Sequence, residues 1–292
     1  MTDNKQANII ISFDFEIGWG DVTNTRWVAR EKSGVYKRLR SVLKELLNEF
    51  DTLEFPASWA TVGAMITPPD QVELEHLPQD AKKLVHSVLQ SAHQDSFDGR
   101  DLFEMLLSSR TKHSIASHSY SHIPFNYSGV DGLFVTKDLE LSLGAFSKYS
   151  VTADRFVFPE NREGYYPELK KAGFKVARVG ADHGKMSRQM YLLSTLVSPP
   201  PPCKEEVNQY GVTQHYGSML FNMGAGKYHR LPFVYARALR GLKKACREKE
   251  TLHIWAHPFN FAESTLQLTA FKSFLRQVIK RRDAGDINIL TM

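Results

Sequence analysis

The stretch NIIISFDFE (residues 8–16) runs three consecutive isoleucines into two carboxylates. A short apolar, β-branched run of this kind is a strand buried on both faces, as parallel sheets contain. Asp14 and Glu16 are two residues apart, so an extended chain points both to the same side. Two carboxylates that close destabilise each other unless a cation or a shared proton intervenes. The stretch therefore predicts a core strand that delivers two acids to a functional site at its C-terminal end.

Outward from this strand, similar short runs recur at 56–63, 113–120, 155–161, 175–180, 251–259 and 286–292. Most are separated by stretches with apolar residues at helical spacing: 37–50, 79–93, 99–110, 136–150, 165–174, within 229–249 and 264–285. Six or seven strand–helix units predict a parallel sheet. The polar residues choose its form. Asp14, Glu16, Trp59, Thr61, His118, His122, Glu160, Asn161 and His257 all fall near the C-terminal ends of different strands. A closed (β/α) barrel gathers such residues at one face, whereas an open sheet would place its site at a single switch point. The expectation is a single α/β domain of barrel type.

Composition bounds the rest. A chain of 292 residues with 42% hydrophobic and 24% charged residues has the makings of an ordinary globular core. It shows no signal-peptide pattern, no transmembrane run and no lipidation motif, so a cytoplasmic location is expected. Cys203 and Cys246 lack metal-type spacing and suit a reducing compartment. The net charge of +5 is concentrated in 236–249 and 280–283, where solvated helix faces are the simplest explanation. An anionic sugar derivative or membrane surface is the alternative, and no nucleic-acid signature accompanies the charge. SPPPP (198–202) reads as a short spacer.

His118 and His122, four apart after a strand, would share one face if the chain turned helical there. With one carboxylate they make a three-ligand metal site with room for water and substrate. Such a set suits Zn²⁺ in hydrolases and Fe²⁺ in oxygenases. A bound divalent ion lowers the pKa of its water to about 7, which leaves the second carboxylate free to act as general base. His257, fixed by Pro258 at the end of a strand, is placed to act as general acid, with His253 as its rival. Trp19, Trp59 and Trp255 are candidate faces for a pyranose ring or, equally, packing residues.

SFDFE, SWATVGAM, IASHSYSH, FVFPEN and HIWAHPFNF occur in the order and spacing of the polysaccharide deacetylase superfamily, the NodB-homology domain. The chain resembles that family over about residues 8–262, and is most like the branch found with bacterial surface-polysaccharide synthesis. The resemblance implies a distorted (β/α)7-type barrel and metal-dependent removal of N-acetyl groups from sugars. It makes Asp14 the base, His118 and His122 metal ligands, and His257 the acid. The family's metal acid adjoins its base. Phe15 stands there in this chain, so Glu16 becomes the third ligand, with Asp14 itself as the alternative. The family's base-orienting Arg is replaced by Glu160, which leaves Arg162 as a substitute or the base held in another way. Asp182 is the nearest candidate for the acid's partner. Pro159, Asn161, Arg162, Trp19 and Trp59 are the expected substrate contacts, with an oxyanion donor among the backbone N–H groups of 159–161.

The implied cofactor is a divalent metal, zinc first, with iron, cobalt, manganese or nickel as other options. The expected partner is an acetylated sugar or a nucleotide- or lipid-linked precursor, with no membrane span. The competing expectations are a silent sugar-binding relative, a hydrolase of a non-sugar C–N bond, and a non-haem iron oxygenase.

Overall fold

A computed structural model describes residues 6–180, 197–222 and 231–292. Its central strand is β1 (Ala7–Phe15), formed by the stretch quoted above. Parallel to it run β2 (Ser58–Thr61), β3 (Ser114–Ser117), β4 (Arg155–Val157) and β5 (Val176–Val179) on one side. On the other side runs β9 (Thr251–Ala256). The strand β10 (Ile287–Leu290) takes the lower half of one β1 edge, at residues 7–10, and β2 takes the upper half, at 12–15.

Closure of the barrel is the part the sequence did not predict. Thr213–Tyr216 (β7) pairs with β5, and three residues on Met219–Leu220 (β8) pairs with β9. One short segment thus changes partners across the seam. Gly217 N–H bonds Val179 O and Ser218 N–H bonds His253 O at the crossing. A Cβ on Gly217 would come within 2.7 Å of the Trp255 ring, so the crossing requires glycine. Counting this segment once, and leaving aside β10, which shares one edge of β1 with β2, the described residues supply seven parallel staves, as a distorted (β/α)7-type barrel requires. An antiparallel edge strand, β6 (Glu205–Val207), is added outside β7.

The surrounding helices are α1 (Arg26–Lys32), α2 (Val35–Leu53), α3 (Gln79–Ser91), α4 (Arg100–Leu107) and α5 (Gly132–Ser147). They continue as α6 (Tyr166–Lys171), α7 (Leu231–Glu248), α8 (Pro258–Glu263) and α9 (Thr265–Asp283). Among the described residues no helix is long and apolar enough to cross a membrane.

Strand parity then divides the side chains. Ile9, Ile11, Phe13 and Phe15 face the helices, where Phe13 stacks on Trp59 at 4.3 Å between ring centres and meets Phe50 of α2 edge-on at 5.8 Å. The opposite faces point into the barrel. Its apolar interior is small: Ile10, Ala60, Ala116, Val157 and Met292. The small residues at Ser58, Ala60 and Ala116 leave volume that polar side chains from β1, β5, β7 and β9 occupy.

Candidate active site

Asp14, the last inward residue of β1, is 4% exposed. Arg178 reaches it across the barrel interior from β5: Nη1 donates to Oδ1 at 2.6 Å and Nη2 to Oδ2 at 2.7 Å. The guanidinium is itself fully buried. Burial raises the Asp14 pKa, but the Arg178 charge and its paired hydrogen bonds more than offset this and hold the carboxyl below its ordinary value. Arg178, not Arg162, therefore grips the candidate base. Arg162 is exposed and lies outside the cavity lining. A signal was present in VARV (176–179), where a lone arginine in an apolar strand requires a buried acid.

Glu16 follows the strand as the N-cap of a 3₁₀ turn (Ile17–Asp21). Its Oε2 lies 3.1 Å from His118 Nε2 and 2.9 Å from His122 Nε2, and the two imidazole nitrogens are 3.2 Å apart. The two histidines do not lie on a helix. They sit in a turn after β3, and positive φ values of 64° at Ser119 and 58° at His122 fold the second imidazole back onto the first. Asp138 of α5, fully buried, pins this turn by accepting Tyr120 N–H at 2.8 Å, Ser121 N–H at 3.0 Å and Ser121 Oγ–H at 2.6 Å.

His118 Nδ1 donates to Val157 O at 2.8 Å, which leaves the Nε2 lone pair facing Glu16. A carboxylate and an imidazole lone pair this close need a proton or a cation between them, and the donor set suits a divalent ion of the zinc type. In the metal-free chain, burial raises the Glu16 pKa, and the neighbouring His122, His257 and His118 overcome it, so the carboxyl lies well below its ordinary value. Burial lowers the His122 pKa, and Glu16 reverses that to a net rise.

Gly20 closes over this carboxylate. A Cβ there would fall 2.0 Å from Glu16 Oε1. Gly20→Ala is expected to push Glu16 off the histidines and weaken zinc binding about 10–100-fold, as loss of ligand support generally does. Titration of metal-free protein with a competing chelator measures it. Unchanged affinity would remove Glu16 from the ligand set.

His257 is the N-cap of α8, next to Pro258. Its Nε2 is 3.7 Å from Asp14 Oδ2 and 3.4 Å from Glu16 Oε1, and its side chain is 21% exposed, the most open of the five. His253, the rival acid, is fully buried. It bonds Ser12 Oγ at 2.8 Å and His215 Nε2 at 2.8 Å, outside the cavity.

Asp14, Glu16, His118, His122 and His257 open together into a cavity of about 270 Å³ at the C-terminal ends of the strands. Glu160, Asn161, Trp255 and Asn260 also line it. The other expected substrate contacts are placed elsewhere. Trp59 lies on the outward face of β2, stacked in the helix-facing core. Trp19 is 1% exposed, donates to Phe97 O at 2.9 Å and lines a separate cavity near Thr67 and Val72. Pro159 is buried and outside the lining, though it shapes the turn that carries Glu160 and Asn161. In that turn Asn161 and Arg162 N–H bond Phe158 O and Pro159 O, so among the described residues Glu160 N–H is the backbone donor of 159–161 left for an oxyanion. Asp182 lies outside the described residues.

Among the described residues, two acceptors in the lining have no partner: the buried Oδ1 atoms of Asn161 and Asn260. An unsatisfied buried carbonyl is costly unless a ligand donor reaches it. The lining also holds four carboxylates (Asp14, Glu16, Asp21, Glu160) and two guanidiniums (Arg26, Arg30). Arg178 neutralises Asp14 from behind the lining, so the described residues leave a net negative charge in the cavity.

No family model matches the sequence, and no curated protein matches it. Solved structures do match in shape. A Mycobacterium smegmatis protein described as a polysaccharide deacetylase superposes with a TM-score of 0.64 at 14% identity, covering 98% of this chain and 87% of its own. A Pseudomonas aeruginosa protein so described gives 0.60 at 10% identity, covering 98% and 88%. A GH57 branching enzyme from Thermococcus kodakaraensis gives 0.57 at 10%, covering 95% of this chain and 69% of its own. This chain thus shares its overall fold with these two proteins described as polysaccharide deacetylases.

Proposed function

We propose that the protein is a metal-dependent hydrolase that removes an N-acetyl group from an amino sugar or glycan precursor. The observation that carries this reading is the convergence of Glu16, His118 and His122 donor atoms beside an Arg178-held Asp14 and an open His257 in one cavity. A divalent cation held by those three residues would supply Lewis-acid polarisation of the amide carbonyl and acidify the attacking water.

The chain's own groups do the rest. Asp14, kept ionised by Arg178, takes the proton of the attacking water at Oδ2, the oxygen that faces His257. Glu160 N–H donates to the oxygen that gains charge as the carbonyl becomes tetrahedral. His257 Nε2 delivers a proton to the leaving nitrogen, so that the C–N bond breaks to acetate and a free amine. The Asn161 and Asn260 carbonyls accept sugar hydroxyl or amide N–H donors, and Trp255 offers a ring edge in the wall.

Zinc-loaded protein is expected to release acetate from N-acetylated sugars and their nucleotide- or lipid-linked forms, and chelator-treated protein is not. Sugar binding without acetate release under zinc, cobalt and nickel would instead favour a silent relative, and dependence on a 2-oxo acid an oxygenase. Asn260→Ala is expected to raise KM about 5- to 10-fold with a smaller change in kcat, since it removes one substrate hydrogen bond. Steady-state kinetics on the acetate-releasing substrate reads this out. A precursor met in the cytoplasm belongs to the same proposal, supported by the free thiols of Cys203 and Cys246.

A further inference from the structure

A second group of metal-ligating side chains lies inside the barrel, below the cavity. It comprises Cys203, which precedes β6, His215 on β7 and His253 on β9. His215 Nε2 is 2.8 Å from His253 Nδ1 and 3.1 Å from Cys203 Sγ, and all three donor atoms lie within 4.8 Å of one another. The two contacts of His215 are close to the distances within the Glu16, His118 and His122 set, which run from 2.9 to 3.2 Å.

The outer nitrogens are held as in metal-ligating histidines generally. His215 Nδ1 bonds Glu205 Oε1 at 2.9 Å, and His253 Nε2 bonds Ser12 Oγ at 2.8 Å. Both imidazoles are buried, at 1% and 0% exposure. None of the three residues lines the cavity described above. The spacing of Cys203 from any other ligand gave no sign of this. It arises only where the β7–β8 segment crosses the seam and brings His215 against β9.

We propose that Cys203, His215 and His253 form a second metal site, selective for zinc or a similarly thiophilic cation. One thiolate with two imidazoles is a donor set that such ions accept and that magnesium and calcium do not. Without the ion, His215 Nδ1–H donates to Glu205, and its Nε2 accepts from His253 Nδ1–H and the Cys203 thiol. On binding, the thiol releases its proton to solvent. The His253 proton shifts from Nδ1 to Nε2, where it donates to Ser12 Oγ. Each ion therefore displaces one proton. The thiolate and the Glu205 carboxylate together balance a charge of +2, which a buried ion requires.

Glu205 is 62% exposed at the side chain and Cys203 only partly buried, so the ion has a path from the β6 edge. Ser12 Oγ also accepts from Arg178 Nη1 at 3.2 Å. The second ion would thus brace, through His253 and Ser12, the arginine that holds Asp14.

Elemental analysis of chelator-stripped protein reloaded with zinc, and optical spectra after loading with cobalt(II), test the site without reference to turnover. Unmutated protein is expected to hold two equivalents and to show a thiolate-to-cobalt charge-transfer band. The His118→Ala, His122→Ala double variant is expected to keep one equivalent and the band. Cys203→Ser is expected to keep one equivalent and lose the band. In Cys246→Ser protein, Cys203 is the only thiol, and zinc is expected to slow its reaction with a thiol reagent about tenfold or more. That last measurement leaves the cluster unaltered, so it stands even if Cys203→Ser fails to fold. A single equivalent without the thiolate band in the unmutated protein, or a Cys203 thiol that zinc does not protect, would overturn the second site, whereas a single equivalent that keeps the band would count against the Glu16, His118 and His122 site instead.

Discussion

Arg178→Met is expected to lower the unfolding free energy by about 3–5 kcal/mol, because it strands the buried Asp14 carboxylate without its counter-charge. Few single changes cost so much, and the cause is specific. Both Asp14 oxygens face the guanidinium at 2.6 and 2.7 Å, Arg178 is fully buried and Asp14 is only 4% exposed. Removing both charges should be much milder. The Asp14→Leu, Arg178→Met double variant is expected to recover most of the loss, since a packed apolar pair can replace a buried ion pair.

The pH dependence has a definite sign. The folded pKa of Asp14 lies below its unfolded value, so the pair's contribution is fully present above about pH 4 and is lost as pH falls through the folded value. The gap between wild type and Arg178→Met is therefore largest near neutral pH and narrows below about pH 4. Urea unfolding at several pH values measures this. A gap that stays constant, or a double variant no more stable than the single one, would dismiss the ion pair as the origin of the effect.

Asp14→Asn is expected to reduce acetate release about 10²–10⁴-fold with little change in zinc content, because it removes the base and leaves Glu16, His118 and His122 in place. Rate and metal content separate the two carboxylates. If Asn at 14 also empties the zinc site, Asp14 is a ligand, and the division of labour with Glu16 is wrong. If turnover persists within about tenfold of wild type, another group is the base. The amide would also leave part of the Arg178 charge unmatched, so kinetics belong at a temperature where the variant is fully folded.

The division between what was legible in the sequence and what was not follows the range of the interactions. Strand periodicity and helical spacing are local, and β1, α2, β9 and α9 fall where they predict. The site histidines were legible as residue types at strand ends. The turn that brings His118 to His122 was not, because positive φ at Ser119 and His122, and the grip of Asp138 from 16 residues beyond His122, have no local signature. Arg178 was missed because its partner lies 164 positions away. Trp59 illustrates an error that parity would have avoided: it stands between Ser58 and Ala60, which face inward, so its ring must face the helices. The strands β6, β7 and β8 span two to four residues each and lack an apolar alternation, so only their sheet partners define them.

The placement of β1 has a consequence for biosynthesis. Its upper edge finds β2 early, but its other partners, β9 and β10, are translated much later, from Thr251 and Ile287 onward. At about 5–20 residues per second, on the order of 10–50 s pass between translation of Ile9 and translation of Thr251. Throughout that interval an isoleucine-rich strand has an unpaired edge, the kind of surface that recruits other chains. The barrel that shelters Asp14 at its centre therefore cannot be completed progressively. The exposed edge of β1 is covered only once β9 and β10 have been made.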